Sequence, residues 1–303
     1  MFNALIVSIV TLVILVAVGW WQLYKAETTN TFFYRVTRVL PLPVASIDGE
    51  SVRYGDYLMR YRSQEHFERS KPGQVDIDSS DGKRLLDSYK RSALDQIEAD
   101  TYAAKLAREL NITVTEAEIN QVVERSLETS NGKISQELYD ASTLDTLGYG
   151  PEEYRLIIRQ SLIRQKVAYK IDQKADQQKN QVAALIQVKD ADFTTVATTV
   201  GGTGEQQVTV GASGLVRKNN QDGGLSTAAL KLQKGQTSPV VESTTGDGYY
   251  FVRLLDVTDT QLSYEYIKIP LTTFRTTVAS LKKDGKVKEY ISVASTIDQT
   301  VKQ

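Results

Sequence analysis

Residues 2–23 carry no charged side chain, and this run constrains the chain more than any other feature. Residues 4–18 are almost wholly Leu, Ile, Val and Ala, interrupted by Ser8 and Thr11. A helix of about 20 apolar residues crosses the hydrocarbon core of a bilayer. Trp20, Trp21, Tyr24 and Lys25 follow, and amphipathic aromatics of this kind collect at the headgroup level. A transmembrane anchor over 1–24 is therefore predicted, with the residues beyond about 40 forming a soluble body on one side. A cleaved signal peptide competes with this reading. Its apolar region is usually about 7–15 residues and ends in a small-residue site, for which Ala17-Val18-Gly19 would serve. The length of the run, and the two Trp that would follow such a cut, favour the uncleaved anchor.

The side on which the body lies is contested within the sequence. Lys25, Arg35 and Arg38 follow the helix, and the positive-inside rule read on them places the body in the cytoplasm.

Composition closes several classes of chemistry. Cysteine is absent, which excludes disulfides, thiol nucleophiles and cysteine metal sites. His66 is the only histidine and follows a polar helix, so it reads as a surface side chain with no second ligand near it. No metal site, cofactor or hydrolytic triad is expected. The net charge of −1 gives no field that recruits nucleic acid. Asp76, Asp78, Asp81 and Gly82 lack the spacing and final Glu of a calcium loop, and Gly201-Gly202-Thr203-Gly204 lacks the Lys of a phosphate loop. There are 16 Tyr against 7 Phe, which suits either an amphipathic core or a peptide-binding surface.

Periodicity orders the body. Residues 25–43 read as a juxtamembrane link stiffened by Pro41 and Pro43. Residues 44–52 read as two short strands about an Asp48-Gly49 turn. Helical patterning follows over 54–67, then a polar loop over 70–82. A long helix spans 83–110 with Leu86, Tyr89, Ala93 and Ile97 on one stripe. Thr115-Glu116-Ala117-Glu118 is a capping box, with Val114 and Ile119 at the staple positions. Asn131-Gly132 breaks the chain before a short helix at 135–142. Pro151 suits the first turn of a helix that continues through Ile171 toward residue 188. Beyond 190 come a short helix (193–200), strands near 208–210, 215–216 and 239–241, a helical insert (226–232), strands over 249–257 and 262–270, and a helix over 273–303 with a weak point at Asp284-Gly285. The fold class is α+β.

Three stretches resemble the SurA/PrsA-type chaperones found outside the cytoplasm. They are Val44-Ala45-Ser46-Ile47-Asp48-Gly49-Glu50-Ser51-Val52 with its Tyr-rich helix, the segment 94–124 running through Leu110-Asn111-Ile112-Thr113-Val114-Thr115-Glu116, and Leu147-Gly148-Tyr149-Gly150-Pro151. A later stretch resembles a parvulin prolyl isomerase domain, through 191–197, 228–240 and Gly248-Tyr249-Tyr250-Phe251-Val252-Arg253-Leu254. The departures are specific. The first strand of that family, with its histidine, has no counterpart before 190, and its second histidine aligns with Tyr250. In the stretch that matches its proline pocket, residues 221–225, only Leu225 is apolar. Residues 264–269 are candidates to replace the absent strand.

The resemblance implies an anchor (1–24), a link (25–43), a helical chaperone domain (44–189), a parvulin-like domain lacking its usual first strand (190–262), and a strand and helix (263–303) returning to the body. It implies a single-pass membrane chaperone with an extracytoplasmic body whose partners are unfolded or newly exported polypeptides. Leu225, Leu230, Tyr250 and Phe251 are its candidate peptide-binding residues. An active prolyl isomerase and a non-enzymatic scaffold subunit of a membrane complex are the alternatives.

Overall fold

The computed structural model describes residues 2–70, 76–129, 132–188 and 191–294. Along the chain run helices α1 (Phe2–Tyr24) and α2 (Thr31–Val39), strands β1 (Pro43–Ile47) and β2 (Glu50–Arg53), and helices α3 (Tyr54–Ser70), α4 (Ser80–Glu109) and α5 (Glu116–Ser126). A small hairpin, β3 (Glu128–Thr129) and β4 (Gly132–Lys133), precedes helices α6 (Gln136–Leu147), α7 (Pro151–Ile171), α8 (Gln173–Leu185) and α9 (Phe193–Val200). Then come β5 (Thr209–Ala212), β6 (Val216–Arg217), α10 (Leu225–Ala229), β7 (Val241–Glu242), β8 (Gly248–Val257), β9 (Gln261–Pro270), α11 (Thr273–Lys283) and β10 (Val287–Glu289). The fold is α+β. The capping box at Thr115 is present, with Glu118 reaching back to the Thr115 N–H.

Three expectations are corrected. The link over 25–43 contains α2, whose first turn is capped by the Asn30 side chain accepting the Phe33 N–H at 3.0 Å. The helix from Pro151 does not run on to 188: the buried Asp172 interrupts it and caps α8 instead. The helix from Thr273 stops at Lys283, because Gly285 turns the backbone to φ +67, and β10 follows. Parts of the 70–82 loop (71–75), the Asn131 break and residues 295–303 lie outside the described residues.

Contacts divide the chain into two units. The first comprises Met1–Lys105, Glu137–Leu156 and Leu281–Gln303. Its sheet has the order β10-β1-β2, wholly antiparallel, with Ala45 opposite Glu289 and Ser46 opposite Ser51. Val44, Ala45, Ile47 and Val52 are fully buried, and Tyr54, Tyr57 and Leu58 of α3 and Leu94 and Ile97 of α4 join the buried core. Gly55 lets α3 approach α2 closely, since a Cβ there would lie 2.6 Å from the Thr37 carbonyl oxygen. The last turn of α1 belongs to this unit. Leu23 is 2% exposed, Tyr54 Oη donates to the Leu23 carbonyl at 2.7 Å, and Tyr24 Oη donates to the Pro43 carbonyl at 2.7 Å. Charges fasten the returning segment: Arg91 donates to both oxygens of Glu289 at 2.8 and 3.0 Å, and Lys282 pairs with Glu98 at 2.7 Å and Asp95 at 2.6 Å.

The second unit comprises Leu106–Gln136 and Ile157–Ser280. Its sheet has the order β5-β9-β8-β7, with β6 also on β9, and every pairing is antiparallel. β9 is therefore an inner strand. One sheet face is covered by α8 and α9, which bury Ala175, Val182, Phe193, Val196 and Ala197 against Tyr249, Phe251, Ile267 and Ile269. Asp172 serves two helix starts at once. Its Oδ1 accepts the Ala175 N–H at 3.1 Å, and its Oδ2 accepts the Thr272 and Thr273 N–H groups at 2.7 and 3.0 Å.

Two outcomes test these contacts. Asp172→Ala leaves three helix-terminal N–H groups without their acceptor, and is expected to cost about 3 kcal/mol, read as a lower urea midpoint by circular dichroism. Lys282→Met removes the cation beside Glu98, which is 0% exposed and whose carboxyl is pushed up by burial against the pull of Lys282. A raised carboxyl favours the fold below its ordinary range and loses that contribution as pH rises. The variant is therefore expected to be close to wild type near pH 4. It should fall progressively behind by pH 7, by about 3 kcal/mol, the low end for an orphaned buried charge because Lys282 is itself one-third exposed.

Candidate functional site

The site is built on the second face of the five-stranded sheet. Successive side chains of a strand point to opposite faces, so Tyr249 and Phe251 enter the core beneath α8 and α9, while Tyr250, Val252 and Leu254 face the other way. β9 presents Leu262, Tyr264, Tyr266 and Lys268 on that second face, where the register sets Tyr250 opposite Lys268 and Val252 opposite Tyr266. α10 closes over it with Leu225 and Ala229. The rings of Tyr250 and Tyr266 lie 5.6 Å apart, and those of Tyr264 and Tyr266 6.3 Å apart.

Two carboxylates anchor these tyrosines. Asp222 accepts the Tyr264 hydroxyl at 2.6 Å and the Ser226 N–H at 3.0 Å, and it also takes the Ser226 hydroxyl. Burial raises its carboxyl, but these bonds and one from Asn220 outweigh burial and hold it below the usual carboxylate range. Asp247 accepts the Tyr250 hydroxyl at 2.7 Å, the Lys268 ammonium at 2.6 Å and the Thr245 hydroxyl at 2.7 Å. Burial opposes its ionisation and these donors outweigh it, so it is lowered to about 2. Burial, together with the acceptor carboxylate, pushes the Tyr250 and Tyr264 hydroxyls far above their ordinary value, so both remain neutral donors.

The four residues singled out from sequence separate. Leu225 and Tyr250 share this face, each 6% exposed. Phe251 is 2% exposed in the core on the opposite face. Leu230, just past α10, is 41% exposed. Tyr264, Tyr266, Asp222 and Asp247 were not singled out. The Tyr264/Tyr266 alternation was the available signal, but the partners Asp222 and Asp247 come from loops whose approach no pattern in the sequence marks. Tyr290 is the one exposed tyrosine among the sixteen, so the tyrosines are core and rim rather than one surface. His66 is exposed, bonds the Asp145 carbonyl through Nε2 at 2.7 Å and lies against Gly148. Among the described residues no group of His, Asp or Glu side chains is placed to hold a metal ion.

Beside α10 opens a groove of about 830 Å³. Gln121 and Arg125 of α5 form one wall, the polar loop Lys218–Gly224 the second, and Ala228, Leu232, Val240 and Val241 the apolar floor. β7 is the last strand of its sheet and pairs only with β8 among the described residues. A groove with an apolar floor, charged rims and a sheet edge suits an extended peptide, which gains main-chain pairing from the edge and contact area from the floor.

Asp247 gives the site an acid dependence. A carboxyl lowered in the fold contributes stability above its unfolded range that is lost as pH falls toward about 2. Asp247→Asn is expected to be less stable than wild type at pH 7, with the gap closing between about pH 4 and pH 2 as the wild-type carboxylate protonates; acid titration by near-ultraviolet circular dichroism measures it.

No curated protein matches the chain. The segment from α1 through most of α7 gives a different result: the family described as SurA-like N-terminal domain matches residues 1–168, more than half of the chain, and the protein belongs to that family.

Proposed function

We propose that this protein is a membrane-tethered chaperone that holds unfolded, exported polypeptides outside the cytoplasm and does not isomerise prolyl bonds. The observation that carries the reading is the SurA-like N-terminal domain over residues 1–168. The tether is α1, the one helix among the described residues long and apolar enough to cross a membrane. The basic residues beyond it are a weak guide to orientation, since Arg38 is engaged by Asp56 at 3.2 Å within the body.

Residues 190–262, with β9 supplying the strand that this stretch lacks, are read as a parvulin-like domain turned to binding. Prolyl isomerisation must cross a barrier of about 18–20 kcal/mol, and an enzyme lowers it with a dry apolar pocket that favours the twisted amide. Here the loop beside the groove offers the polar side chains of Lys218, Asn220, Gln221 and Asp222 rather than a dry apolar wall. Tyr250 stands at the position of a family histidine with its hydroxyl committed to Asp247. Clients would be held weakly and with little sequence preference, along the groove floor and the β7 edge. Of the four residues named from sequence, Leu230 is the one with an exposed side chain to offer.

The test uses the full chain in lipid nanodiscs. It is expected to suppress aggregation of several unrelated unfolded clients, and Val240→Asp, which places a charge on the groove floor at a site already 41% exposed, is expected to weaken that suppression several-fold with the fold intact. A protease-coupled proline-peptide assay is expected to show no rate above the uncatalysed one. Unchanged client aggregation would remove the chaperone reading, and a clear isomerase rate would replace a holding role with an enzymatic one.

A further inference from the structure

α2 has two faces of different character. Tyr34 and Thr37 point into the first unit, where Thr37 is fully buried and Tyr34 bonds Glu153. Phe32, Arg35 and Val39 form the other face, at a spacing that puts them on one side of a helix, and Leu40 extends it past the C-terminus. Phe32 is 66% exposed, Val39 81% and Leu40 49%. These are large apolar side chains left in water by the fold, and Arg35 and Lys25 beside them are exposed cations.

The position of α2 says what covers this face. The chain beyond its C-terminal end returns to α1, because Tyr24 Oη donates at 2.7 Å to the carbonyl of Pro43, the first residue of β1. Its N-terminal end follows α1 through the short connection 25–30, itself folded back by Thr28 Oγ1 donating to Gln22 Oε1 at 2.6 Å and by Arg62 donating to the Thr29 carbonyl at 2.6 Å. The chain on both sides of α2 is thus held against the last turn of α1, by Thr28 before it and Pro43 after it. That turn carries Trp20 and Trp21, each 54% exposed, the residues that mark the headgroup level of a spanning helix.

We propose that α2 is an interfacial helix that rests on the bilayer, with Phe32, Val39 and Leu40 entering the headgroup–acyl boundary and Lys25 and Arg35 meeting anionic lipid headgroups. The inference rests on the tether reading of α1 and adds to it. An apolar face flanked by basic residues is the composition of helices that lie in the membrane plane, and exposed cations near an anionic surface add to the binding. The consequence is a body held at a set orientation on the membrane surface. A single tether would leave it free to swing.

The absence of cysteine makes the test direct. Full-length single-cysteine variants Phe32→Cys and Val39→Cys carry an environment-sensitive fluorophore in vesicles of phosphatidylethanolamine and phosphatidylglycerol, half of them doped with lipid bearing a nitroxide near the headgroup. Val13→Cys within α1, read with lipid carrying its nitroxide near the acyl-chain end because the middle of a span lies about 15 Å from the headgroups, reports the span, and Leu138→Cys and Leu215→Cys, both exposed, report the body. The labels at 32 and 39 are expected to be quenched by the nitroxide lipid at least about twofold more than those at 138 and 215, as for a helix buried in the interface. Quenching at 13 with none at 32 and 39 overturns the proposal and leaves the tether intact. No quenching at 13 overturns both. Blue-shifted emission at 32 and 39 without lipid quenching means that protein covers the face, and also overturns it. Replacing phosphatidylglycerol by neutral lipid is expected to reduce quenching at 32 and 39 while leaving 13 unchanged; a reduction at 13 as well overturns the headgroup role of Lys25 and Arg35.

Discussion

The first unit depends on the pairing of β10 with β1. β1 is buried along most of its length, and without β10 one of its edges would be left unpaired. Unpaired backbone groups in a buried strand cost as much as lost hydrogen bonds. β10 satisfies that edge with residues from far along the chain, and the ionic contacts of Arg91 with Glu289 and of Lys282 with Glu98 and Asp95 hold it in register. The segment that matches the SurA-like family therefore does not close its own sheet. Closing it requires a non-local contact, which is slow to form because the loop entropy is lost before the contact rewards it.

The second unit is arranged around a similar late arrival. β9 follows β8 directly in the chain, yet it lies inside the sheet, with β5 and β6 on its far side. Its two faces supply both cores, Ile267 and Ile269 beneath the helices and Leu262, Tyr264 and Tyr266 toward α10. Asp172 then couples the start of α8 to the start of α11 through a single carboxylate. Such a group is costly to bury, and three N–H donors compensate for it. The tyrosines of the second face follow the same rule: the Tyr250 hydroxyl is given to Asp247 and the Tyr264 hydroxyl to Asp222.

The apolar helix α1 is part of this folding logic. Leu23, Tyr24, Tyr54 and Pro43 join the last turn of α1 to the first unit, so the apolar helix and the folded unit are one continuous structure at that point.

Much of this was legible in local patterns. The apolar run of α1, the capping box at Thr115, the Asp48-Gly49 turn, the start of α7 at Pro151 and the alternation of β8 and β9 are set by near neighbours, and the structure follows them. The missed features are those in which local preference was overridden. Residues 25–43 look like a link because α2 is short and two of its apolar residues, Phe32 and Val39, fall on its outer face. The break at Asp172 is invisible because its partners, Thr272 and Thr273, are remote in sequence. The helix expected beyond Lys283 breaks at Gly285, a weak point visible in the sequence, but that the residues after it form a strand on the free edge of β1 is not. The sequence by itself determined the apolar N-terminal helix, the α+β class and the family resemblance, since these rest on composition and spacing. Only the tertiary structure decided which strands lie side by side, which candidate residues are buried and which face of α2 is left bare, because pairing, burial and exposure are set by contacts between distant parts of the chain.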